Sequence, residues 1–142
     1  MKVIQILLIG CLLLVTALGG CQGKTQYTTA TPEGTVRLYL DAYCELNTGK
    51  VATFWVEMER KEVRHQMGQL FSQFKSISIS GVEIEVIDQT ENAAKLNVQY
   101  FLNATVKESI PQSHYPPQEV SYELDLIKQD GKWLIKTPVL SR

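Results

Sequence analysis

Histidine, cysteine and excess charge are all scarce in this chain, and each scarcity removes a class of function. Two histidines occur among 142 residues, His65 and His114, too far apart for the short ligand spacings of a zinc site, so no metal is expected. No sequence motif implies a cofactor. Of the three cysteines, Cys11 and Cys21 fall within the first 21 residues, which leaves Cys44 alone in the body of the chain. An intramolecular disulfide is excluded there, and stability has to come from a hydrophobic core. Cys44 itself reads as a buried, inert thiol. Fourteen basic residues against fifteen acidic ones provide no basic footprint for nucleic acid.

What the chain does have begins at its first residues. Lys2 precedes an apolar run, Val3 to Leu18, interrupted only by Gln5, Gly10 and Thr16. At sixteen residues the run falls short of the roughly 20 that a spanning helix needs, and it ends in glycines instead of a positive cluster. Residues 1–20 are therefore expected to be a signal peptide. The segment closes with Leu18-Gly19-Gly20-Cys21, which resembles the lipobox of bacterial lipoproteins. The resemblance implies that the Cys21 thiol, a soft nucleophile, takes the lipid before cleavage on its amino side. One acyl chain binds a membrane marginally, whereas two or three hold it almost permanently. The implied partner is membrane lipid through acylated Cys21. The implied location is the bacterial cell envelope, on the outer face of the cytoplasmic membrane or on an outer membrane. The remaining 122 residues carry a net charge of −2, since Lys2 is the only charge lost.

Residues 21–30 are polar after Cys21 and lack periodicity, which reads as a flexible tether of roughly 15 to 20 Å on average. A folded domain is expected over residues 31–142. Thr31-Pro32-Glu33 supplies an N-cap, a proline at the first helical position and a first-turn acid. The helix they open is expected to reach Asn47, where Asn47-Thr48-Gly49 stops it. A short helix over Val51 to Met58 follows. A third, near Glu59 to Phe74, places Val63, Met67, Leu70, Phe71 and Phe74 on one stripe.

From Ser76 the apolar period changes to two. Ile77 and Ile79 are followed by Val82, Ile84 and Val86, a frame shift at Ser80-Gly81 that predicts a β-bulge at glycine. A second strand alternates Ala94, Leu96, Val98, Tyr100, Leu102 and Ala104 with polar residues. Strands over Glu119 to Gln129 and Lys132 to Thr137 are joined by Asp130-Gly131, a two-residue hairpin turn. That turn pairs Lys128 with Trp133, Ile127 with Leu134 and Leu126 with Ile135. Leu124, Leu126, Trp133 and Ile135 then share the face assigned to the helices. Ile127 and Leu134 fall on the other face. With Phe101 they define a candidate self-association surface for a homodimer.

The fold class is thus α+β, with three N-terminal helices packed on a curved four-stranded antiparallel sheet. This order, closing with Asp130-Gly131-Lys132-Trp133-Leu134-Ile135, resembles the nuclear transport factor 2-like cone. More narrowly it resembles small bacterial lipoproteins of uncharacterised function that carry that domain. The resemblance implies a cone whose mouth can accept a small ligand; some relatives are isomerases or dehydratases, and others bind or only scaffold. The segment Lys107 to Gln118, interrupted by Pro111, Pro116 and Pro117, is expected as a long loop between the second and third strands.

No acid or histidine falls convincingly on the face assigned to the cone. His65 sits off the apolar stripe, and Glu83 and Glu85 face away from Val82, Ile84 and Val86. The inward polar feature is phenolic, with Tyr39 or Tyr43 on the first helix and Tyr100 and Tyr122 on the sheet. Together with Trp133 they form the candidate pocket, suited either to a core edge or to a small apolar ligand. The expected function is a non-catalytic ligand-binding or protein-interaction domain held at a membrane. An enzyme using the same cone, and a structural envelope assembly factor, are the alternatives.

Overall fold

A computed structural model of the chain describes residues 26–108 and 117–136. The expected signal peptide, Cys21, His114 and most of the long loop lie outside the described residues. Three α-helices precede four strands: α1 (Pro32–Cys44), α2 (Thr48–Thr53), α3 (Arg60–Phe71), β1 (Phe74–Gln89), β2 (Ala93–Val106), β3 (Gln118–Gln129) and β4 (Lys132–Ile135). A single 3₁₀ turn, Glu57–Glu59, links α2 to α3. The strands form one antiparallel sheet in the order β1-β2-β3-β4, curled into a half-barrel.

Local chemistry sets the helix ends. The Thr31 hydroxyl accepts the Gly34 amide at 3.1 Å and Pro32 occupies the first turn, so α1 starts as expected. It stops three residues earlier than Asn47, because Leu46 takes a left-handed φ of 54° and breaks the ladder. Asn47, expected as a stop, caps the next helix instead. Its side-chain oxygen accepts the Lys50 amide at 2.9 Å. The second helix therefore begins at Thr48, ahead of the expected Val51.

The bulge is where the sequence places it. The β1–β2 register shifts between Ser80 and Glu83, and Gly81 has a φ of +61°. Side chains before and after it keep their inward face, as a two-against-one insertion requires. The Asp130-Gly131 turn produces the predicted pairs, Lys128 with Trp133, Ile127 with Leu134 and Leu126 with Ile135.

Alternation then builds the core. Leu96, Val98, Leu124, Leu126 and Ile135 on the inner face of the sheet are almost fully buried, each stabilising by roughly 1.5 to 3 kcal/mol. They join one cluster with Val36, Tyr39 and Leu40 of α1, Val51 and Ala52 of α2, and Val63, Met67 and Phe71 of α3. One polar side chain ties α1 to the far strand: the buried Thr35 hydroxyl lies 3.2 Å from the Trp133 carbonyl. The N-terminal approach is also fastened. Trp133 donates its backbone N–H to Thr29 at 2.9 Å, and the Arg37 guanidinium sits 5.1 Å above the Tyr27 ring. The last residues expected in the tether are thus bonded to the domain.

Candidate functional site

The inner face of the sheet changes character beyond Val98. Tyr100 of β2 and Tyr122 of β3 lie diagonally across the β2–β3 ladder, where Tyr100 pairs with Val120 and Val98 with Tyr122. Their rings meet edge to face at 5.9 Å, and their hydroxyls are hydrogen bonded. Tyr39 and Tyr43 sit one turn apart on α1, so both rings turn to the same side, 6.2 Å apart. Tyr39 meets Trp55 at 6.3 Å and Tyr43 meets Phe71 at 5.0 Å, each edge to face.

This cluster is neutral by construction. Burial is the main cause of every shift, and it pushes Tyr43 up to about 12 and Tyr39 and Tyr122 further still. Neighbouring phenols add to the effect. Tyr100 is raised too, although its hydrogen bond with Tyr122 pulls the other way. Burial also raises the Cys44 thiol, opposed by a backbone hydrogen bond from Ile79 and reinforced by Asp41 and Glu45. Near neutral pH the groups here are hydrogen-bonding hydroxyls and a protonated thiol. They can orient a ligand by donating and accepting, and they are mismatched to proton transfer at that pH.

A cavity of about 200 Å³ opens beside Tyr43. Leu70 of α3, Phe74 and Ile77 of β1, and Leu102 and Ala104 of β2 complete its apolar wall, with the Gln118 side chain at the rim. The space has a simple origin. Among the described residues the β2–β3 ladder ends at the Leu102–Gln118 pair, so Ala104 pairs with Ile77 of β1 and with no described residue of β3, and its own side chain is small. A larger depression, about 530 Å³, lies at the opposite end around Asp88, Thr90, Lys95, Asp125 and Lys136. It is open and charged, and it touches none of the phenols. Among the described residues no group of histidine, cysteine and acidic side chains could hold a metal ion.

No family model matches the sequence, and no curated protein is similar to it in sequence. Solved structures do match in shape. The "putative aromatic ring hydroxylase" of Novosphingobium aromaticivorans superimposes with a TM-score of 0.59 at 10% identity, over 73% of this chain and 81% of that one. The "putative scytalone dehydratase" of the same organism gives 0.55 at 14% identity, over 73% and 76%. A "putative dehydratase from the NTF2-like family" of Streptomyces avermitilis gives 0.53 at 13% identity, over 75% and 93%. The fold is nuclear transport factor 2-like. At these identities the likeness speaks for the fold alone.

Within this nuclear transport factor 2-like fold, the expected pocket residues part company. Tyr39, Tyr43, Tyr100 and Tyr122 converge, but only Tyr43 lines the cavity; the other three are packed behind it. Trp133 is buried at the far end of the sheet, beneath the Lys128 ammonium at 5.9 Å. The outer-face residues separate as well. Ile127 and Leu134 are paired neighbours, half-buried. Phe101 pairs with Glu119, eight residues away along β3, and its ring covers Gly81. Ser121, Glu123 and Asp125 lie between. Sequence reasoning missed Leu70, Phe74, Ile77, Leu102, Ala104 and Gln118 as cavity lining, although for Leu102 and Ala104 the apolar alternation running on past Tyr100 was the available signal.

Proposed function

We propose that this chain is a lipid-anchored binding domain whose cavity takes a small, uncharged, mostly apolar molecule carrying one hydrogen-bonding group. In this reading the three helices cover the concave face of the sheet and leave the space beside Tyr43 for the ligand. The observation that carries it is the apolar cavity backed by Tyr43 and a cluster of neutral phenols. A charged ligand entering that wall would lose hydration without gaining a counter-charge, whereas a hydroxyl or carbonyl finds Tyr43 or Gln118. The fold neighbours bearing hydroxylase and dehydratase names share the shape, but the phenols and thiol here offer no acid or base poised near neutral pH.

Ala104→Phe fills the cavity from the strand and tests the reading directly. With 1-naphthol as a neutral fluorescent probe, the full chain in detergent is expected to bind and the variant to lose binding at least tenfold with its thermal transition retained. Equal binding by both would remove the cavity as the site. The anchor rests on Leu18-Gly19-Gly20-Cys21, with Cys21 acylated. Cys21→Ala is expected to abolish palmitate incorporation and release the protein from membranes; membrane retention by this variant would overturn it.

A further inference from the structure

The two edges of the sheet are treated very differently. On β4 the edge is covered by main chain: Ile135 donates to the Phe54 carbonyl at 2.8 Å, Val56 donates to the Ile135 carbonyl at 3.0 Å, and Trp133 donates to Thr29. On β1, α1 reaches the edge near Ile79, whose backbone amide bonds the Cys44 thiol, and near Val82, which shares a small cavity with Tyr27 and Arg37. Past the bulge at Gly81, the stretch Val82 to Gln89 has β2 on one side and no described strand on the other. Unpaired edge groups of this kind are a template for another strand.

The side chains along that edge specify what fits. Val82, Ile84 and Val86 are half-buried against the core and leave apolar surface at the rim. On the opposite face Glu83 and Glu85 are exposed beside Gln99 and Asn97, around a shallow depression of about 300 Å³. Neither glutamate forms an ion pair among the described residues. A nearby cation, Lys95, is engaged with Glu123 at 3.4 Å and Asp125 at 3.8 Å. A second copy of this strand is a poor occupant. Val82-Glu83-Ile84-Glu85-Val86 reads the same in both directions, so a two-fold antiparallel pairing about Ile84 sets Glu83 directly against Glu85 of the copy.

We propose that the outer edge of β1 over Val82 to Gln89 is a docking site for an extended segment of another protein in which lysine or arginine alternates with apolar residues. Its main chain continues the sheet, its basic residues lie across from Glu83 and Glu85, and its apolar residues cover Ile84 and Val86. This surface is separate from the cavity and does not depend on it.

The test uses a fluorescein-labelled, end-capped octapeptide alternating lysine and valine, titrated into the full chain in non-ionic detergent and read by anisotropy. Saturable binding is expected, weakened at least tenfold by Glu83→Gln/Glu85→Gln. Glu83→Lys/Glu85→Lys is expected to transfer the preference to a glutamate–valine octapeptide. Methylating the peptide's alternate amide nitrogens on the side that pairs with β1 is expected to abolish binding. Three results would overturn the proposal: no binding of the parent peptide, unchanged binding by the glutamine variant, or undiminished binding of the methylated peptide, which would indicate charge attraction without strand pairing.

Discussion

Buried phenols make the native state sensitive to alkali in a defined direction. Tyr43 holds its proton to about pH 12 in the folded chain but releases it near 10 when unfolded, and burial is the main cause. Its contribution is therefore complete below pH 10 and declines as pH rises from 10 to 12, because only the unfolded chain ionises in that window. The slope is about 1.4 kcal/mol per pH unit for one such phenol. Tyr39 and Tyr122 act in the same sense. Denaturant midpoints at pH 9, 10 and 11 are expected to fall steeply above 10, and Tyr43→Phe is expected to lessen the fall by about that slope. A wild-type stability flat over this range would show that the phenols reach solvent. That Tyr100 and Tyr122 face inward was legible from alternation, and helical spacing set Tyr39 or Tyr43 beside them. That one lines a cavity while three fill the space behind it was not, because sequence gives a side chain's face but not the distance to what it faces.

At the scale of elements, glycine and asparagine positions carry most of the information. Gly81 shifts β1 by one residue so that Ile77 and Ile79 on one side and Ile84 and Val86 on the other all point inward. Gly81→Ala places a β-carbon 3.1 Å from Cδ2 of Phe101 at a φ of +61°. The half-exposed ring can yield, so the backbone strain dominates, and a loss of about 1 to 2 kcal/mol is expected in chemical denaturation. Adding Phe101→Ala should recover little of it; full recovery would show that the ring contact was the cost. This bulge was readable because a frame shift in a two-residue period leaves a visible trace. The helix boundary at Asn47 was not, since the same residue type serves a helix stop and a helix start. Only the left-handed Leu46 decides between them.

The whole molecule has two distinct ends. Thr29 is bonded to Trp133 near the turn that joins β3 to β4, and Lys128 of the same hairpin bonds Asn92, just before β2. The cavity lies at the other end of β2, whose 14 residues follow a contour of roughly 45 Å. Tyr27 lies beneath the Arg37 guanidinium and shares a small cavity with Ile79 and Val82, so a tether from the proposed anchor at Cys21 meets the domain beside the β1 edge. Sequence by itself determined the order of helices and strands, the bulge, the hairpin register and the inward face of each strand, because these follow from periodicity and turn chemistry within a few residues. Tertiary structure alone decided that, among the described residues, Ala104 has no partner on β3 and borders a cavity, that Trp133 does not line that cavity, and that one sheet edge is covered while no described strand lies beside the other. Those outcomes depend on where strands of unequal length end against each other, which no local pattern encodes.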